Sequence, residues 1–148
     1  MHDVAMRESL ERLAEHDGGR RLLQLALRSI ERGDHELVSG CWTQKGDAGC
    51  LFQHAYWQGV EEGVFADDGR ARVWVTGVAG PQGYHRVIDV IAAFDRLARA
   101  EYAVAQRRFG PPELDREAWR ARVTGLLVEV LGAGGDRAPA GARTPVTA

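Results

Sequence analysis

Four residues of metal-binding or nucleophilic type, His35, Cys41, Cys50 and His54, fall within one short stretch of the sequence. Thiolate and imidazole are the ligands that zinc and the softer transition metals prefer, so zinc is the cofactor this group would suit. Cys50 and His54 stand four apart, an interval that sets two side chains on one face of a helix. The full spacing, H-x5-C-x8-C-x3-H, has one close pair where structural zinc sites have two. The competing reading makes the cysteines small buried hydrophobes and the histidines packed or solvated side chains. The spacing favours that reading.

Cys50 also reads as a residue at the start of a helix, with Asp47 just before it. There the helix dipole and exposed backbone N–H groups favour thiolate. Cys50 as nucleophile and His54 as its neighbouring imidazole are the candidate catalytic pair of a thiol- or metal-dependent enzyme. Gln44 lies six residues before Cys50, an interval that resembles the oxyanion glutamine and nucleophile of papain-like thiol proteases. The resemblance covers those two residues. Gly49-Cys50-Leu51-Phe52 departs from the small residues that family places around its nucleophile. His85, with Asp89 one turn on, is a more distant base. A Cys41–Cys50 redox pair lacks C-x-x-C spacing.

Other motifs are weaker. His85 and Asp89 at i and i+4 read first as an exposed ion pair. His54 with Glu61 or Glu62 lacks the Glu-x-x-His motifs of a di-iron bundle. Gly77-Val78-Ala79-Gly80-Pro81-Gln82-Gly83 matches neither G-x-G-x-x-G nor a P-loop, and reads as a plain loop. Arg20, Arg21, Arg28 and Arg32 could face DNA from a helix-turn-helix, but Glu8, Glu11, Glu15 and Glu31 flank them. The aromatic residues Trp42, Phe52, Tyr56, Trp57, Phe65 and Trp74 gather in the same middle region. Trp42, Phe52, Tyr56 and Trp57 are the candidate ligand-binding residues, since aromatics often line pockets. A structural role, fixing a glycine-rich segment to a helical scaffold, competes with that reading and is preferred.

The elements that must position these residues are mostly helical. Residues 4–15 carry an apolar stripe of Met6, Leu10, Leu13 and Ala14. His16-Asp17-Gly18-Gly19 reads as a break with Asp17 as a cap. Residues 20–32 then present Leu22, Leu23, Ala26, Leu27 and Ile30, with Gly33 where a left-handed C-cap belongs. From 34 to 83 the texture changes to an irregular insert holding nine of the 18 glycines and three of the four tryptophans. Within it, 50–58 reads as a helix. Val64-Phe65 and Arg72-Val73-Trp74-Val75-Thr76, either side of Asp67-Asp68-Gly69, form a candidate β-hairpin. Residues 84–108 give the strongest helix signal, with Val87, Ile91, Phe94, Ala98, Tyr102 and Ala105 recurring every three or four. A last helix over 115–131 has Asp115 as cap, a Leu114–Trp119 staple, and Trp119, Val123, Leu126, Leu127 and Val130 facing inward.

The fold class expected is therefore all-α or nearly so, about five helices around one core. The single domain spans 1–131, and 132–148 forms a disordered tail. The length of 148 residues suits one domain. A hydrophobic fraction of 45% and a charged fraction of 27% are ordinary for a globular chain. Net charge is −2 and arginine alternates with acid, so nucleic-acid binding is disfavoured. All the basic residues but Lys45 are arginine, for which high-GC coding is the preferred explanation over anion recognition. No export signal or apolar run of about 20 residues is present, which points to a cytoplasmic chain without a membrane span. Two cysteines in that compartment make a structural disulfide unexpected. The leading functional reading is a non-catalytic protein that binds a partner protein or small ligand through residues 40–65, with self-association left open. The alternative is a thiol- or metal-dependent enzyme using Cys41, Cys50 and His54.

Overall fold

The computed structural model describes residues 2–38, 48–101 and 113–135. Helix α1 spans His2–Ala14, α2 Asp17–Arg32, α3 Leu51–Glu61, α4 Ala71–Glu101 and α5 Glu113–Gly135. Two short strands, β1 (Glu36–Leu37) and β2 (Ala48–Gly49), pair in parallel, Glu36 opposite Ala48 and Leu37 opposite Gly49. The expected mostly-α fold around one core is what the chain adopts. No described helix is long and apolar enough to cross a membrane.

Helix α2 is the hub, packing against α1, α3, α4 and α5. That explains why its apolar residues cover more than one stripe: Leu22, Leu23, Leu25, Ala26 and Ile30 are all buried. Around it close Met6, Leu10 and Leu13 of α1, Leu51, Phe52 and Ala55 of α3, and Val87, Val90, Phe94 and Leu97 of α4. The inward stripe of α5 is the expected one, and buried Trp119 meets Phe94 edge-to-face at 4.9 Å. Each such side chain contributes roughly 1.5–3 kcal/mol of burial free energy. α5 starts at Glu113, before the expected cap Asp115, and runs on to Gly135.

α2 and α5 are antiparallel, and two arginines join their ends. Arg20, in the first turn of α2, donates to the Leu131 carbonyl at 2.6 Å. Arg120 of α5 donates to the Ile30 and Glu31 carbonyls at 3.0 and 3.3 Å, covering the C-terminal carbonyls that α2 cannot satisfy itself. Gly33 ends α2 in the left-handed conformation, φ 75°, as the sequence suggests.

Three local readings of the sequence are corrected. Gly18-Gly19 lies inside α2 rather than before it, and His16, not Asp17, is the N-cap. A Cβ on Gly18 would stand 2.1 Å from the Val78 carbonyl oxygen, and one on Gly19 2.2 Å from that of Leu13. The break itself falls at Glu15-His16, and the glycine pair marks close helix packing.

The candidate hairpin is also absent. Val73-Trp74-Val75-Thr76 is helical, because Ala71, Val75 and Ala79 supply a buried face at helical spacing. Asp68 braces the turn before that helix, its Oδ1 accepting from Arg70 N–H at 3.0 Å. Finally, the segment read as a loop before residue 84 continues α4 through a break at Gly80 (φ 76°, ψ 175°). Pro81 restarts the helix at the position where its missing N–H costs nothing.

Candidate functional site

Helix α3 carries the candidates Phe52, His54, Tyr56 and Trp57 and lies against α2. Cys50 is its N-cap, with extended backbone and no side-chain capping bond, and is 6% exposed. One turn on, His54 is fully buried, its backbone N–H bonded to the Cys50 carbonyl at 3.0 Å. Its ring bridges two elements: Nε2 lies 2.9 Å from the Glu36 carbonyl of β1, and Nδ1 lies 2.9 Å from Ser29 Oγ of α2. A carbonyl only accepts, so Nε2 carries the proton and Nδ1 accepts the Ser29 hydroxyl hydrogen. Burial then holds the imidazole neutral, pulling its pKa from 6.5 to about 4, against the opposing pull of the Glu36 carbonyl. Acting as a metal ligand or as a base for Cys50 would require His54 to surrender one of these two bonds.

Trp57 stands beside it on α3. Its ring meets His54 edge-on at 5.3 Å, and His35 stacks on it at 3.8 Å with planes 15° apart. His35 and His54 are thereby brought to 6.2 Å. Gly49 permits this arrangement, since a Cβ there would come within 2.8 Å of the Trp57 ring. Cys41 and Trp42, with Gln44, Lys45 and Asp47, lie outside the described residues. Among the described residues no group of three or more His, Cys, Asp or Glu side chains is placed to hold a metal.

The other two candidate ligand-binding aromatics face inward. Phe52 is fully buried in the core. Tyr56 is 3% exposed, and its hydroxyl donates to the Ala66 carbonyl at 2.8 Å while accepting from Asp68 and Gly69 N–H at 3.1 and 2.9 Å. One phenol thus fixes the turn between α3 and α4. Phe65 packs over Gly59, and Trp74 over Phe65 at 6.1 Å, its indole N–H bonded to Asp68.

Two surface grooves meet at His35. One runs between the end of α2, β1 and α5, past Glu36, Arg116, Glu117 and Arg120, and encloses about 740 Å³ of space open to solvent. The other passes Arg32, Asp34, Trp57, Gln58 and Glu61. Their charges are mutually compensated: Arg116 meets Glu36 at 2.6 Å and Arg32 meets Asp34 at 2.9 Å. His35 Nδ1 is buried with no hydrogen-bond partner among the described residues.

Sequence reading missed Ser29, the Glu36 carbonyl and Arg120. Ser29 offered one signal, as a hydroxyl set among the apolar residues of α2. Backbone carbonyls and a distant arginine offered none. Searches of protein-family models, curated proteins and solved structures find no match to this chain.

Proposed function

We propose that this protein is a non-catalytic binding protein whose ligand or partner settles over the His35–Trp57 stack. The observation that carries this reading is the position of His35. It is half-buried, stacked face to face on Trp57, and forms the shared wall of two open grooves. Beneath it, the Ser29–His54–Glu36 chain of hydrogen bonds is internally satisfied, which suits a support rather than a reacting group. Both grooves carry charges of each sign around an aromatic centre. Such a lining favours a peptide segment of a partner protein, or a small zwitterionic molecule, over a polyanion.

The test is a fragment library of short peptides and zwitterions titrated into the isotopically labelled full chain, read by amide chemical shifts. Shifts should gather on Gly33, His35, Trp57 and Arg120, and should vanish in Trp57→Ala while its circular dichroism stays native. Should that variant unfold, His35→Ala replaces it. Shifts gathered on another face refute the proposal.

A further inference from the structure

The outer face of α5 is built unlike a solvent face. Ala118, Ala121, Gly125, Val128 and Gly132 recur at intervals of three and four, all exposed, directly opposite the buried Trp119, Val123, Leu126, Leu127 and Val130. A helix with only one covered face normally turns charged residues to water there. Here exposed Glu117 and Glu129 flank the strip but no charge stands within it, and Val128 is 49% exposed. Neither Gly125 nor Gly132 is explained within the protomer: both are exposed, and no described atom lies within 4 Å of where a Cβ would sit. Glycine in mid-helix is unfavourable unless something must come close to the backbone.

The charges beside this face say what comes close. Arg122 and Glu129 border it on the side of α1, where Arg122 meets Asp3 at 3.4 Å and Glu129 meets Arg7 at 2.6 Å. The residue after Asp3, Val4, is 54% exposed. Arg122 and Glu129 are opposite in sign and lie one on either side of Gly125. A two-fold axis at Gly125 lays a second α5 antiparallel on the first, with Arg122 of each copy against Glu129 of the other. The same operation sets Ala118 against Gly132 and Ala121 against Val128. A closed two-fold contact requires such a self-complementary patch, and small residues let the backbones approach.

We propose that the outer face of α5 is the contact surface of an antiparallel homodimer, its register set by Arg122–Glu129 pairs across the axis. The surface lies away from the His35–Trp57 stack, so the proposal stands independently of the binding function.

Sedimentation velocity on the full chain tests it. The wild-type protein should sediment as a concentration-dependent dimer. Gly125→Glu should be monomeric with native circular dichroism, because it sets two like charges at the axis in space the protomer leaves empty. Arg122→Glu and Glu129→Arg should each weaken association about tenfold or more, since each homodimer then holds two like-charged contacts. An equimolar mixture of those two variants should recover a dimer, because in the heterodimer both contacts are again of opposite sign. A monomeric wild-type chain overturns the proposal. So does a dimer indifferent to Gly125→Glu, or a mixture that fails to recover.

Discussion

Acidification should weaken the fold through His54. In the folded chain its pKa is lowered from 6.5 to about 4, chiefly by burial. Between those two values the unfolded chain binds a proton that the folded chain refuses, so stability falls as pH falls through that window. The neutral ring's contribution is complete above 6.5 and lost near 4. At about 1.4 kcal/mol per pKa unit, the loss sums to roughly 3 kcal/mol, a large part of the stability of a domain this size. Glu62, held below its usual range by Arg28, and Asp68, held down by the Arg70 backbone N–H, also lose stability as pH falls, but below their ordinary values of 4.5 and 3.8. Comparison with His54→Gln isolates the histidine, because a glutamine amide can still bridge Ser29 and the Glu36 carbonyl but does not titrate. Urea unfolding of both proteins, stepped from about pH 7 to about pH 4.5, should show the wild-type curve falling faster by up to about 1.4 kcal/mol per pH unit. Parallel curves would refute the assignment of a buried neutral ring.

Two further outcomes follow from the aromatic belt. Tyr56→Phe removes the acceptor of two backbone N–H groups and the donor to Ala66. It should cost about 1–3 kcal/mol in urea unfolding and speed amide exchange at Asp68 and Gly69. Gly59→Ala would bring a Cβ to 2.2 Å from the Phe65 ring, so thermal denaturation should show a destabilisation of about 1–3 kcal/mol. An unchanged melting temperature would mean that Phe65 does not lie over Gly59.

Periodicity revealed the helices whose burial is one-sided. The Met6/Leu10/Leu13 and Val87/Phe94/Leu97 stripes are each a local pattern that the fold simply uses. It failed at 72–76, where valine, tryptophan and threonine carry strand propensity and the helical evidence is the small residues Ala71 and Ala79 on either side of Val75. Glycine misled at the start of α2. At Gly18-Gly19 it answers the approach of Val78 and Leu13, contacts distant in sequence or across a turn, so a residue chosen for closeness looks like one chosen for flexibility. The site shows the same division. His54 and Trp57 are legible as neighbours on one helical turn, but His54 is disarmed by Ser29 and the Glu36 carbonyl, 25 and 18 residues away. Nothing local records that.

The two arginines that span α2 and α5 bear on how this molecule comes apart. A guanidinium stays charged, and a backbone carbonyl neutral, across the whole range in which proteins are handled. The Arg20–Leu131 and Arg120–Ile30 bonds are therefore blind to acid, whereas the α3 side of α2 is fastened through a titrating imidazole and through Arg28 to the carboxylate of Glu62. One flank of the hub is acid-labile and the other indifferent. Mild acid should therefore loosen the α3 flank of α2 before the α5 flank, seen as earlier loss of amide protection in α3 than in α5.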